Sequence, residues 1–375
     1  MFQLFERPGP LEPPAIYDEL REKAPVARVP VPRFDNAWLV TSYDAVATVL
    51  SDPRFGGSPP KVGTADDSLV PNDDGHARLR RLVTRGLTAR RVDAVRPRVE
   101  EMASGYAAQL AEMTHPVDLV DTFSAPLAIN VLGEFLGVPQ EQRAALRSWA
   151  EDALLIGNVP NGDRMRQAVE SLQAYATGLV AAKRRAPGDD LLTDLIAVRD
   201  TDDGRLSDDE LKSLIMVLLE GGYLSPRNAI SVAVTQAIVD GRMDEPEPDV
   251  DEVLRLLAGL TGEALPRWVQ HDLTLEGEQL AAGDIVLARL EAANQDPMRF
   301  PEPSRYIAGR GVPHLTFGRG PHHCLGAALA RMELATALNV LARQLPGLRL
   351  VTEVKDIPWS YGFADSGPAT LLVAW

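Results

Sequence analysis

The sequence is poor in cysteine, in long apolar runs and in positive charge. Cys324 is the only cysteine among 375 residues, so no internal disulfide can form and we expect a reducing compartment. The longest apolar runs, such as Leu214–Leu219, fall far short of the roughly 20 residues that a membrane-spanning helix needs. Residues 1–14 include Glu6, Arg7 and several prolines, so they predict neither a signal peptide nor an anchor. We therefore expect a cytoplasmic protein that does not bind membranes.

The charge balance argues against nucleic-acid binding. The chain has 38 basic and 53 acidic residues, a net charge of −15, whereas nucleic-acid binding needs a basic surface. Hydrophobic residues make up 45% of the chain, which is enough for a large core.

The hydrophobic pattern predicts a mainly α protein with small β-sheets. We expect an early strand at 37–41, a helix at 42–50 and a helix break near 86–88. The C-terminus resembles hairpin strands around a loop at 360–368. Because no linker divides the chain, we expect residues 1–375 to form a single domain.

A long central helix is predicted to begin at Ser207 and to run to Val239. Ser207 is followed by three acidic residues, which is typical of a capped helix start. Gly221, Gly222 and Pro226 lie in its middle, where glycine lowers helix stability and proline removes a backbone hydrogen bond. A break at the centre of a long helix marks a candidate functional site.

The segment before Cys324 is rich in glycine and precedes a helix, which predicts a tight turn that exposes the thiol. Free backbone N–H groups and the helix dipole favour a thiolate there, and the glycines at 318, 320 and 326 let a flat cofactor approach the backbone. Three interpretations follow from the residues: a haem ligand, a zinc site that also uses nearby histidines (His314, His322 and His323), or an inert buried thiol.

The segment Phe317–Gly326 resembles the cytochrome P450 signature F-G-x-G-x-H-x-C-x-G at every fixed position. The resemblance favours haem over zinc. It implies haem b with Cys324 as the iron ligand and Phe317, Gly318 and Gly326 around it. It also implies a P450-like helical fold, with the haem between the central long helix and the cysteine loop followed by the C-terminal helix.

Other segments match the family in order along nearly the whole chain. Glu252 and Arg255 resemble its E-x-x-R pair, and the family's third partner is an arginine of a later loop. By spacing, Arg310 fits that structural role better than Arg305.

Residues for the haem propionates are also implied by the resemblance. His76 and Arg80 match the family's helix that reaches these carboxylates, and Arg267 and His322 match its later partners. Two buried carboxylates need cationic and preferably bidentate donors, which these side chains supply.

The central helix departs from the family pattern of a small residue, Gly, any residue, an acid and Thr. We assign catalytic roles to Gly221, Gly222 and Ser225. Leu224 replaces the acid and cannot relay a proton, whereas Ser225 keeps a hydroxyl. The departure leaves open a non-redox or atypical haem enzyme (dehydration, cyclisation, coupling or peroxide use) or a non-catalytic partner. The connection before Glu252 is also short, so we expect the family's helix there to be missing or reduced.

The resemblance implies a monooxygenase that modifies a small molecule, such as a secondary metabolite, free or attached to a carrier. Substrate-facing positions carried over from the family are Leu218, Tyr223, Gly262 and Phe363. Electrons are expected from a ferredoxin and a ferredoxin reductase. Four arginines are candidates for a basic docking patch: Arg78, Arg81, Arg319 and Arg331.

Overall fold

A computed structural model describes residues 6–31, 34–60, 74–156, 162–200, 207–260, 265–362 and 366–375. Its α-helices are α1 (Ile16–Lys23), α2 (Tyr43–Ser51), α3 (Asp74–Gly86), α4 (Ala89–Ala111), α5 (Ala125–Leu136), α6 (Arg143–Leu154), α7 (Gly162–Arg185), α8 (Leu191–Asp200), α9 (Asp208–Gly221), α10 (Leu224–Val239), α11 (Val250–Leu257), α12 (Leu290–Asn294) and α13 (Ala327–Gln344).

The strands are short. They are β1 (Val26–Val31), β2 (Phe34–Val40), β3 (Phe55–Gly56), β4 (Val117–Asp118), β5 (Leu155–Ile156), β6 (Arg267–Val269), β7 (Leu273–Leu275), β8 (Glu278–Leu280), β9 (Ile285–Ala288), β10 (Arg349–Leu350), β11 (Trp359–Gly362), β12 (Ser366–Pro368) and β13 (Leu372–Ala374). The mainly α class with small sheets is as predicted.

The first of two compact units contains the described parts of the chain up to residue 60 and Asp249–Cys324. Its sheet has the strand order β1-β2-β9-β6-β3, in which β2 and β9 are parallel and the other pairs are antiparallel. Val46 and Val49 of α2 are fully buried beneath this sheet. The sheet and α2 therefore form the frame on which this unit's loops are held.

The second unit contains the described parts of Asp74–Pro248 and Leu325–Trp375. Its core surrounds α5, where nine of twelve residues are buried. Leu132 and Phe135 of α5 share one hydrophobic cluster with Leu214 and Ile215 of α9. Two three-stranded sheets, β10-β13-β4 and β12-β11-β5, complete the unit.

Several local predictions are confirmed. The break near 86–88 separates α3 from α4, and the Thr88 side chain caps α4 by accepting a hydrogen bond from Arg91 N at 3.2 Å. Ser207 forms a capping box with Glu210, as its position predicted. The central helix is two helices, α9 and α10, and residues 240–249 contain no helix.

The C-terminal hairpin strands are confirmed, but the bounds of the loop expected at 360–368 are wrong. Trp359–Tyr361 of β11 pairs in register with Ser366–Pro368 of β12, so both ends of that segment are strands. Backbone pairing supplies the hydrogen bonds there, and side-chain composition did not indicate them. The expectation of a single domain over 1–375 stays a prediction. Among the described residues, no helix combines the length and apolarity that a membrane crossing requires.

Candidate haem-thiolate site

The cysteine loop is closed by its own backbone. The N–H of Cys324 donates to the carbonyl of Phe317 at 2.8 Å, which closes the loop between them. Gly318 and Gly320 have φ values of +69° and +71°, a region that side-chain-bearing residues rarely adopt. A Cβ on Gly320 would lie 2.8 Å from Ser51 Cα. Gly320 therefore permits close packing on α2. The approach of a flat cofactor to Gly318 and Gly326 stays a prediction.

Two of the three interpretations of Cys324 lose support. Cys324 is exposed, so it is not an inert buried thiol. His314 Nε2 lies 3.1 Å from Asp251 Oδ1 and belongs to a contact with α11. Among the described residues, no group of three or more His, Cys, Asp or Glu side chains is arranged to hold a metal ion. Haem ligation needs only one protein thiolate, and the exposed Cys324 is compatible with that role.

Arg267 is a buried cation whose described contacts include no carboxylate. Its guanidinium donates at 3.1 and 3.4 Å to the carbonyls of Leu265 and Pro266, and Arg267 is 6% exposed. Burial lowers the pKa of Arg267, with no charged neighbour offsetting it. A buried guanidinium is costly without an anion, so Arg267 fits a carboxylate ligand such as a haem propionate.

The other predicted propionate partners lie on two elements. His76 and Arg80 are four residues apart on α3 and so share one helix face, with His76 buried and Arg80 half-buried. His322 is half-buried in the 3₁₀ turn Gly320–His322 of the cysteine loop. These positions are compatible with a propionate role, which stays a prediction for each residue.

Glu252 joins two arginines, as predicted for the structural set. Arg255 donates to Glu252 with Nε at 2.8 Å and Nη2 at 2.9 Å, and Arg310 Nε donates to Glu252 Oε1 at 2.7 Å. Arg305 instead pairs with Glu302 and offers its backbone carbonyl to both arginines. Arg310 is thus the third partner, and the group ties α11 to the irregular segment that leads to Cys324.

The break between α9 and α10 combines an open position with a tightly packed one. Apart from its chain neighbours and its own helix backbone, no described atom lies within 4 Å of where a Cβ on Gly221 would stand. A Cβ on Gly222 would lie 2.6 Å from Leu132 Cδ1, so this glycine lets α9 approach α5. Leu224 is 1% exposed within the hydrophobic cluster, and Ser225 is half-buried. The position that carries an acid in the family pattern is a core position here.

The predicted substrate-facing residues have different outcomes. Tyr223 is fully buried and its Oη donates to Glu151 Oε1 at 2.5 Å, a contact that accounts for it without a substrate. Leu218 is half-buried against the same cluster. Gly262 and Phe363 lie outside the described residues. A substrate role for these four positions stays a prediction.

Sequence reasoning did not single out three buried or bridging groups of the second unit. Glu151 and Arg147, four apart on α6, form an ion pair at 3.0 Å, and this i,i+4 spacing was the available signal. Glu333 of α13 is 2% exposed, and burial raises its pKa to about 8. No sequence signal distinguishes Glu333 from a solvated acid on an amphipathic helix.

Comparisons with known proteins agree with this site. The family model for cytochrome P450 matches residues 249–344, which include the Glu252 group and the cysteine loop. The mycinamicin IV hydroxylase/epoxidase of Micromonospora griseorubida is 38% identical over 96% of this chain and 94% of its own length. The cytochrome P450 monooxygenase PikC of Streptomyces venezuelae is 34% identical over 97% and 91%.

A solved structure shows the same fold. The LnmA cytochrome P450 hydroxylase of the leinamycin biosynthetic pathway of Streptomyces atroolivaceus superposes with a TM-score of 0.89 at 36% identity, covering 99% of this chain and 98% of that one. These relatives are haem-dependent oxidoreductases, and family members hold haem b through a cysteine thiolate. The signature loop, the Glu252 group and full-length relatives above 30% identity agree, and this chain belongs to the cytochrome P450 family.

Proposed function

We propose that this protein is a haem-dependent monooxygenase of a small organic molecule, with Cys324 as the iron ligand. Cys324 carries the assignment, because it is the only cysteine, is exposed, and lies in a loop that its own backbone closes. Haem, when bound, supplies the redox chemistry that activates dioxygen. The tasks of this chain are to hold the haem, to admit the substrate and to manage protons.

Haem retention is assigned to a thiolate and to cations. Arg267 would donate a charge-assisted hydrogen bond to a propionate. Because Arg267 is buried, water would screen that hydrogen bond less than at the surface. His76 and Arg80 of α3, with His322, would complete the cationic set. The Glu252 group would hold the cysteine loop in place without touching the haem.

Proton handling would depend on Ser225 and on the open backbone of the break. Leu224 has no proton to give and is buried among apolar side chains. Ser225 keeps a hydroxyl that can donate a hydrogen bond. Pro226 has no N–H, so α10 cannot supply the usual donor to the carbonyl of Gly222, and that oxygen can hold a water. Water at the break would then deliver protons that the family pattern takes from an acid.

The substrate would be a product of secondary metabolism. The relatives include a hydroxylase/epoxidase of mycinamicin IV and a hydroxylase of the leinamycin pathway. Leu218, Gly262 and Phe363 are the positions we assign to the substrate pocket, and a carrier-attached substrate remains part of the proposal. The comparisons do not favour a non-redox enzyme or a non-catalytic partner.

Electrons would come from a ferredoxin and its reductase, as in bacterial relatives generally. Arg81 and Arg319 are exposed and suit an acidic partner. Arg78 suits it less well, because it forms an ion pair with Glu210. A cytoplasmic location is part of this proposal.

The test is the absorption spectrum of the reduced protein with carbon monoxide. Wild type should give the strongly red-shifted Soret band of a thiolate-ligated haem, and Cys324→Ser should lose it while keeping its far-ultraviolet circular dichroism. His323→Ala, a change at the neighbouring exposed residue, is the control and should keep the band. A wild-type protein without haem would overturn the proposal, and so would a red-shifted Soret band that is the same in Cys324→Ser as in wild type.

A further inference from the structure

The break in the central helix lacks the usual means of fixing its direction. Tyr223 stands at the start of α10 with φ −115° and ψ −62°, and no side chain caps the helix there. Helical bonds continue on both sides, from Gly222 N to Leu218 O at 3.0 Å and from Arg227 N to Tyr223 O at 3.1 Å. Pro226 cannot donate across the break. Contacts from outside the helix must therefore set how α10 leaves α9.

The Tyr223 side chain supplies such a contact. It is completely buried in the hydrophobic cluster, and its Oη donates to Glu151 Oε1 of α6 at 2.5 Å. The same carboxylate oxygen accepts from Arg147 Nε at 3.0 Å, and Arg147 Nη2 donates to Asp121 at 2.6 Å. Glu151 is thus itself held by Arg147, and a chain of polar contacts runs from the segment before α5 through α6 to the break.

Buried electrostatics keep this contact in one protonation state. Burial raises the pKa of the Tyr223 phenol, and the neighbouring Glu151 carboxylate raises it further. Tyr223 therefore remains a hydrogen-bond donor. Arg227, one turn further on the same helix face, is also buried, and its guanidinium donates to Asn228 Oδ1 and to the Pro368 carbonyl. This face of α10 is consequently anchored at two successive turns.

The anchored face determines where Ser225 points. At 3.6 residues per turn, residues two apart project about 200° from each other around the helix axis. An anchor at Tyr223 thus fixes the opposite face, on which Ser225 lies. Leu224 lies between the two and contributes only apolar packing.

We propose that Tyr223, held by Glu151, is a positioning residue that sets the break of the central helix and the direction of the Ser225 hydroxyl. This inference rests on the proposed haem function for its consequence at Ser225, whereas the anchoring of the break does not depend on haem. Tyr223, which the family pattern placed in the substrate pocket, is assigned here to the support of the helix break.

The first experiment is hydrogen–deuterium exchange of the haem-loaded protein. Tyr223→Phe removes one buried hydrogen bond and keeps the ring, so the amides within 222–227, apart from Pro226, which has none, should exchange about fivefold faster. Glu151→Gln keeps the shape of the acceptor and should act in the same direction but more weakly. Tyr175→Phe is the matched control, because Tyr175 Oη donates to Gln142 at 2.9 Å, which is not part of the central helix.

The second experiment is the infrared C–O stretch of the reduced carbon monoxide complex, which reports polar groups beside the ligand. Tyr223→Phe should shift this band in wild type but not in a Ser225→Ala background, and Tyr175→Phe should shift it in neither. Unchanged exchange at 222–227 in Tyr223→Phe would overturn the anchor. A C–O band that Tyr223→Phe shifts equally with and without Ser225→Ala would overturn the positioning role. If no thiolate-type complex forms at all, the proposed function fails, while exchange still decides whether Tyr223 anchors the break.

Discussion

Arg267 and Glu333 are buried ionisable residues with no ion-pair partner in the part of the chain that the structure describes. Each is a cost to the folded protein unless a ligand, water or proton compensates for it. Their charges have opposite signs, and the cost of burying each is relieved in a different way. Arginine stays charged and needs an anion, whereas glutamic acid can become neutral by binding a proton.

Replacing Arg267 should separate folding from haem retention. Arg267→Met removes an uncompensated buried charge, so the haem-free protein should unfold at the same or a higher temperature. The haem-loaded variant should release haem roughly tenfold to a hundredfold faster, since a charge-assisted hydrogen bond of about 1.5–3 kcal/mol is lost. Thermal unfolding and haem transfer to an acceptor globin measure the two effects. Arg299→Met, at an exposed arginine, is the control, and equal haem release in both variants would contradict a propionate role.

Glu333 should make stability depend on pH. Its pKa is about 8 in the folded chain against 4.5 when exposed, so the folded state binds more protons between these values. Stability should therefore fall as pH rises from about 4.5 to about 8, by up to a few kcal/mol at about 1.4 kcal/mol per pKa unit. Glu333→Gln should flatten this slope in denaturant titrations at several pH values. Glu353→Gln, an exposed acid, should leave the slope as in wild type, and a flat wild-type profile would refute the assignment.

At the scale of elements, the break between α9 and α10 explains the departure from the family pattern. The position of the family's acid is filled by Leu224, which is buried among apolar side chains of the second unit. The preceding residue, Tyr223, carries the polar contact of the break, with Glu151 on α6.

Restoring the acid should harm the protein and not improve it. Leu224→Asp would bury a carboxylate in a hydrophobic cluster, so we expect a loss of roughly 2–5 kcal/mol in the free energy of unfolding, together with a raised pKa for the new side chain. Leu224→Met keeps volume and apolarity and should cost less than about 1.5 kcal/mol. Urea unfolding compares the two. An Asp variant as stable as the Met variant would show that the site is not apolar.

At the scale of the whole molecule, a net charge of −15 opposes an acidic electron donor, so local arginines must provide the attraction. Arg81→Glu and Arg319→Glu should each slow reduction by a ferredoxin several-fold at low salt and have less effect at high salt, because salt screens exposed charges. Arg185→Glu makes the same charge change at the end of α7 and is the control. Stopped-flow reduction at two ionic strengths measures this, and equal slowing by all three changes would leave only net charge as the cause.

Much of the site was predictable because its signals are contiguous in sequence. Phe317–Gly326 and the Glu252–Arg255 pair need only local backbone geometry to present their side chains. The capping box at Ser207 and the break marked by Gly222 and Pro226 are likewise encoded within a few residues. The strand bounds of the C-terminal hairpin at 359–368 were missed because backbone pairing sets where the strands end, and side-chain composition is a weak guide to that.

The sequence by itself determined the lone cysteine that we assign to the iron, the family signature and the mainly helical class, since these depend on residue identity and short-range periodicity. Only the tertiary structure decided that Tyr223 bonds Glu151 across 72 positions, and that Arg310 and not Arg305 completes the Glu252 group. It also decided that Arg267 and Glu333 are buried. The reason is physical: burial and long-range hydrogen bonds depend on how elements pack, and packing places residues together that no sequence spacing relates.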